Sequence, residues 1–244
     1  TALKEDRMAN GTISQVQYGN QYTISVKGYP IDKKQVKIRI LADTITDKYG
    51  NKSLEKEFLV YNTLRSANTE LGPHDEFLGN ANIQRKNIDN VTFEDNIPTN
   101  VYDKTTKVYK NDTAWDVSAQ QDKSIIAWYE KNTDNTFKIY IGSDDEIFGN
   151  IDSSHLFSYI GGNWNGQLLD PITNIDLLNT TNVTNMSYMF NCTGYIRMTS
   201  LDLGNNFDTS NVTDMKLMFE NCGYTAMTTL NLGSNFDTSN VTDT

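Results

Sequence analysis

"TTNVTNMSYMFNCTGYIRMTSLDLGNNF" (residues 180–207) is followed after one residue by "TSNVTDMKLMFENCGYTAMTTLNLGSNF" (209–236), and "TSNVTDT" (238–244) opens the same phrase a third time. The step is 29 residues and holds throughout: Asn182, Asn211 and Asn240; Met186 and Met215; Phe190 and Phe219; Tyr195 and Tyr224; Leu201 and Leu230; Leu203 and Leu232; Phe207 and Phe236. A fixed period of this size is the signature of a repeat architecture, in which one unit cannot bury its apolar edge alone and neighbouring units stack to do so. An imperfect earlier copy precedes the two full ones. His155 and Phe157 hold the places of Tyr188 and Phe190, and Ile175 and Leu177 those of Leu201 and Leu203.

Within each copy, "MTSLDLG" and "MTTLNLG" alternate apolar and polar residues, the period of a half-buried strand. Met215, Met218 and Phe219 recur at i, i+3 and i+4, which predicts a single helical turn with one apolar face. Strand, polar connection and helical turn in 29 residues fit a leucine-rich-repeat unit. Chain 163–244 is therefore expected to form a solenoid whose third coil is cut short.

The phrase "FDTSNVTDM…MF…C" resembles the bacterial BspA-type leucine-rich-repeat surface proteins, most closely over residues 207–215. "AWDVSAQQDKSIIAWYE" (114–130) and "FKIYIGSDDEIFGNIDSSHLFSYI" (137–160) are similar to the unit that leads into such repeats. Together these stretches span about half the chain. One departure stands out: the cysteines, Cys192 and Cys222, are 30 residues apart in a 29-residue frame. The resemblance implies a non-enzymatic, extracellular or cell-wall protein that adheres to host matrix proteins, host cells or other bacteria, with glycans as a further partner class.

Upstream, residues 21–29, 35–42 and 54–61 alternate as strands, and "DKYGNKS" (47–53) is a turn. This stretch is similar to the last strands of bacterial Ig-like domains. The domain reading is thus a partial Ig-like β-sandwich over 1–62 and a polar Gly-Pro linker over 63–80. An α+β cap unit over 81–162 and the repeats over 163–244 follow. The fold class is multi-domain and β-rich.

The net charge is −10, and residues 163–244 carry 2 basic and 8 acidic side chains. Phosphate neutralisation needs a basic face, so nucleic acid is not an expected partner. No run approaches the ~18 apolar residues of a membrane-spanning helix. Hydrophobic residues make up 37%, a low share that predicts thin cores, yet 11% aromatics argue for a folded chain.

No catalytic, cofactor or metal residue is expected. The only histidines are His74, in the Gly-Pro stretch, and His155, at a repeat position, and no nucleophile elbow, phosphate loop or dinucleotide fingerprint occurs. Asp144, Asp145 and Glu146 form the densest acidic cluster but lack the ligand alternation and central Gly of an EF-hand, and read as a solvated turn. Asp208 and Asp237 read as caps of the polar connection. Cys192 and Cys222 read as free, partly buried thiols, and Trp115, Trp128 and Trp164 as packing residues rather than a sugar platform. The Asn and Thr of "TSNVT" are expected to form hydrogen-bonded ladders between coils. Ten Asn-x-Ser/Thr sequons then arise as by-products of the ladder sequence. Tyr195 and Tyr224 follow a Gly in the same register and are the candidate ligand contacts, since Tyr offers contact area at low entropy cost. Two other functions stand beside adhesion: a spacer within a larger surface protein, and an accessory region of a cell-wall or glycan hydrolase.

Overall fold

The computed structural model describes residues 35–40, 49–50, 52, 56–67, 72–161 and 171–244. The chain separates into two units, Thr1–Tyr61 and Asn62–Thr244. In the first, β1 (Gln35–Ile40) and β2 (Lys56–Tyr61) run antiparallel, with Val36 opposite Val60 and Ile38 opposite Phe58. β-branched and aromatic residues favour such pairing because they fit a pleated surface. The strand expected over 21–29 lies outside the described residues.

The second unit is β-rich. Two short hairpins are formed by β3 (Glu76–Phe77) with β4 (Asn80–Gln84), and, after β5 (Ile88–Glu94), by β6 (Tyr102–Asp103) with β7 (Val108–Tyr109). Then follow β8 (Ala114–Asp116), β9 (Ile126–Lys131), β10 (Phe137–Gly142), β11 (Ile147–Phe148), β12 (Ile172–Thr173), β13 (Leu178–Asn179), β14 (Ser200–Asp202) and β15 (Thr229–Asn231). The central sheet has the order β12-β5-β10-β9-β8, parallel across β12, β5 and β10 and antiparallel across β10, β9 and β8. Its inner face buries Val91 and Phe93 from β5, Ala127 from β9, and Ile139 and Ile141 from β10. The alternation of these apolar residues at period two is what commits them to strands.

Two expectations are corrected. Among the described residues, helix is limited to the 3-10 turns Arg85–Asn87 and Ile175–Leu177, so the cap unit over 81–162 is not α+β. Nor do the described residues of the 63–80 stretch, 63–67 and 72–80, behave as a linker. Leu64, Phe77 and Leu78 are buried in the main core, and Leu64 N donates to Phe148 O at 2.8 Å while Arg65 N donates to Val117 O at 2.8 Å. The polar composition of the stretch concealed three large apolar groups whose removal from water outweighs the Gly-Pro signal.

The repeats lie side by side in parallel register, Leu201 opposite Leu230, with further bridges joining Asn185 to Asp214 and Asp214 to Asp243. The segment expected as a helical turn is instead a ribbon of overlapping β-turns. Met186, Tyr188, Phe190 and Cys192 donate their N–H groups to the carbonyls of Asp214, Lys216, Met218 and Glu220 in the next copy, at 2.8–2.9 Å. Met189, Asn191 and Thr193 donate back to Met186, Tyr188 and Phe190 in their own copy, each at 3.1 Å. An α-helix spends each N–H beyond its first turn on the carbonyl four residues back, and so could not send alternate N–H groups along the segment to a neighbour. The turn ribbon divides them, half for the turn and half for the stack.

The earlier copy continues the pattern, with Ser153, His155, Phe157 and Tyr159 donating to Asn185, Ser187, Met189 and Asn191 at 2.9–3.0 Å. Inside, Phe157, Phe190 and Phe219 form a column with ring centroids 5.5 and 5.4 Å apart, one strand spacing per step. Phe93 of the sheet meets the head of that column edge-on at 6.1 Å. The sheet and the stack therefore share one core.

Candidate functional site

Tyr195 and Tyr224 form the column expected from their register: their rings stack at 5.1 Å and 16°. Each is set by the Gly before it. Gly194 and Gly223 have φ of +56° and +55°, and a Cβ there would come within 2.4 Å of Met198 Cβ or 2.6 Å of Met227 Cβ. Only Gly tolerates both the left-handed backbone and that approach. Gly194 N donates to Ile160 O and Gly223 N to Thr193 O, and Thr225 N donates to Tyr195 O, so the backbone that carries both rings is tied to the preceding copy. Tyr195 is half-buried, whereas Tyr224 is 66% exposed and shows its outer ring face to solvent. A second column pairs His155 with Tyr188 at 4.8 Å and 3°, both half-buried. His155 thus does the stacking work of a tyrosine, and His74 is exposed.

The polar ladder exists, but its acceptors are mostly backbone. Thr180 Oγ1 donates to Asp208 O and accepts from Asp208 N, both at 2.8 Å; Thr209 repeats this on Asp237 at 2.8 and 2.6 Å. Asn211 Nδ2 donates to Thr181 O at 2.8 Å and Asn240 Nδ2 to Ser210 O at 2.7 Å. Asp208 and Asp237 cap the connection as expected, each accepting from the N–H two residues on, Ser210 and Ser239, at 2.8 Å. That backbone N–H holds the Asp237 carboxyl below its ordinary range.

The acidic cluster disperses. Asp144 pairs with Lys104 at 2.6 Å, Asp145 N donates to Ser143 Oγ, and Glu146 accepts from Asn179 Nδ2 at 2.8 Å. Among the described residues, no His, Cys, Asp and Glu side chains converge as a metal site. Cys192 and Cys222 are half-buried free thiols. Burial, with a smaller contribution from Cys192, pushes the Cys222 thiol up to about 12, which keeps it protonated and a poor nucleophile. Trp115 packs on the main core and donates from Nε1 to Leu78 O at 3.0 Å. Trp128 is buried and stacks on Tyr140 at 5.5 Å. Trp164 lies outside the described residues.

Sequence reasoning missed Arg85. It is fully buried, its guanidinium 5.4 Å from the Phe77 ring centroid, and Nη1 donates to the carbonyls of His155, Leu156 and Ser158 at 2.8, 3.2 and 3.1 Å. Leu156 and Ser158 hold the places of Met189 and Asn191, whose carbonyls accept from the preceding copy. Arg85 supplies the missing donors at the head of the stack. Burial brings its pKa down to about 10, partly offset by the charge of Asp75. Nothing local in "NIQRKNI" marks this role, because the partners lie about 70 residues away.

A family model described as "Mycoplasma protein of unknown function, DUF285" matches residues 165–244, the part of the chain that holds both full repeats. No curated protein and no solved structure matches the chain.

Proposed function

We propose that this chain is a non-enzymatic bacterial surface or secreted protein that recognises partner proteins through a leucine-rich-repeat solenoid of the BspA type. In this reading β1 and β2 belong to an Ig-like sandwich. The observation that carries it is the Tyr195–Tyr224 stack: a repeated aromatic, fixed by a repeated Gly, with its outermost ring open to solvent. Rigid tyrosines on a regular face provide contact area at low entropic cost and suit protein surfaces or glycans. The partners proposed are host matrix proteins, host cell-surface proteins and other bacteria.

The test is a binding screen of the full chain against immobilised matrix proteins, mucins and glycans, repeated with Tyr195→Ala and Tyr224→Ala. Saturable binding that weakens ~10-fold or more in the variants, the scale of an interface hot spot, with unfolding midpoints barely moved for Tyr224→Ala, supports recognition at this face. Binding indifferent to both tyrosines overturns it. The second reading, a structural spacer, is favoured by a different observation. Thr180, Thr209, Asn211 and Asn240 all spend their side chains on the neighbouring copy's backbone, so the repeated polar residues serve stacking first.

A further inference from the structure

We infer that Asn111 is an N-glycosylation acceptor: among the described residues it is the sequon asparagine that the fold leaves free to take a sugar from a glycosyl diphosphate. Asn111, Asp112 and Thr113 spell Asn-x-Thr with no proline between, the acceptor motif of surface loops. They lie in the connection 110–113 between β7 and β8, where Asn111 and Asp112 are exposed and Thr113 is half-buried. The connection is tethered at its start. Lys110 N donates to Val101 O at 2.9 Å, and Lys110 Nζ pairs with Asp103 at 2.8 Å. Asn111 Oδ1 accepts from Thr113 N at 3.2 Å and from Thr113 Oγ1 at 2.7 Å. Both donors fall on the amide oxygen, so the amide nitrogen is the group left over, and among the described residues it donates to nothing.

The other described sequons share the letters but have no such amide to offer. Asn90, Asn179 and Asn191 donate from Nδ2 to Thr173 Oγ1, Glu146 Oε1 and Glu220 Oε2 at 2.9, 2.8 and 2.8 Å. Asn211 and Asn240 are exposed, but their Nδ2 groups hold the preceding copy through Thr181 O and Ser210 O. The Asn182 Nδ2 is buried, and Asn185 is half-buried in the column of bridges between Asp152 and Asp214. Asn10 and Asn51 lie outside the described residues. Transfer breaks the C1–O bond of the donor sugar and forms a bond from C1 to Nδ2. The diphosphate leaves with the electron pair, and one Nδ2 proton passes to a base of the transferase. A nitrogen committed to a neighbouring copy, or closed off from solvent, reaches that carbon only by disturbing the stack. Asn111 reaches it at no such cost, and its exposed turn has room for a bulky, solvated group. The assignment uses no residue of the tyrosine column and does not rest on it.

The test incubates the folded full chain with UDP-glucose and a soluble asparagine glucosyltransferase, and maps the addition by peptide mass spectrometry. One hexose at Asn111 is expected, with the ladder asparagines of the repeats unmodified. Asn111→Gln and Thr113→Ala should each abolish the addition. Thr113→Ser, which keeps the hydroxyl, should retain it, and keeps the comparison readable if the alanine variant fails to fold. The unfolded chain should take hexose at ladder sequons as well, since the fold and not the letters selects Asn111. In the protein isolated from its own cells, the peptide that holds Asn111 should also carry sugar. A single hexose there marks a nucleotide-linked donor, and a preassembled oligosaccharide a lipid-linked one. A folded chain unmodified at Asn111, ladder asparagines modified as readily as Asn111, or a bare Asn111 in the cellular protein would overturn the assignment.

Discussion

Leu201 and Leu230 occupy one register and have closely similar sequence surroundings, yet Leu201 is 3% exposed and Leu230 42%. Leu201 lies in the main core, with the strand of the following copy alongside it, while Leu230 is the last paired strand position. Leu201→Ala should therefore cost ~2–5 kcal/mol and Leu230→Ala less than ~1 kcal/mol in urea unfolding. Equal costs would mean that the two copies are packed alike. Arg85 invites the opposite kind of test, since removing it relieves a buried charge but orphans carbonyls. His155 O also accepts from Ser158 N and Oγ, but among the described residues Leu156 O and Ser158 O accept from Nη1 alone. The orphaned carbonyls should therefore dominate, and Arg85→Met is expected to lose about 1–3 kcal/mol. A variant as stable as the parent would show that desolvation had been the larger effect.

Cys222 gives a pH signature at the same scale. Its folded pKa is raised from 9.0 to about 12, chiefly by burial, so above pH 9 the unfolded chain loses a proton that the folded chain retains. The thiol's contribution to stability is complete below pH 9 and is lost as pH rises from 9 towards 12. Cys222→Ser should flatten the fall of the urea midpoint across that window relative to the parent; an unchanged slope would place the titration elsewhere. Iodoacetamide should also label Cys222 far more slowly in the folded chain than after unfolding.

The element that sequence reading mistook is the turn ribbon. Apolar residues at 215, 218 and 219 satisfy a helical period, but they satisfy overlapping β-turns as well, because both geometries bring i and i+3 to one side. What distinguishes them is backbone handedness. Tyr188, Cys192, Leu217 and Asn221 all have φ between +50° and +57°, at every fourth residue, and none is Gly. No single-residue propensity announces a left-handed Tyr or Leu; the inter-copy hydrogen bonds impose it. Each such residue carries a strain of about 1–2 kcal/mol. Leu217→Asn should accordingly leave the unfolding midpoint unchanged or raise it, as Leu217 is 38% exposed, outside the buried core, and Asn tolerates this conformation. Gly194→Ala should lower stability by at least about 1–2 kcal/mol through the same strain and the approach of Met198. A helix at this position would reverse both outcomes.

At the scale of the second unit, the 29-residue step and the strand register were legible because they depend on letters repeated along the chain. The buried seat of Leu64 and Phe77, the Arg85 cap and the diversion of β12 to β5 were not, because each depends on contacts made far along the chain. Those long-range contacts fuse the five-stranded sheet and the repeats into one core, with Phe93 touching Phe157 at the join. Protection along the stack should follow the neighbours available. The amides of Met186, Tyr188, Phe190 and Cys192 each donate to the next copy, and Met215 donates to Asp243 O at 2.9 Å. Among the described residues, the equivalent amides of Leu217, Phe219 and Asn221 donate to no carbonyl. Hydrogen exchange of the chain as given should be slowest at 186–192, intermediate at 215 and fastest at 217, 219 and 221, because exchange requires local opening and costs least where no copy lies beyond. Trp115 and Trp128 fluorescence should meanwhile report one unfolding transition that coincides with loss of protection at Phe190, as a shared core demands. Uniform protection across both copies would contradict the directional donor-to-acceptor ladder, and a separate early transition of the repeats would contradict the common core.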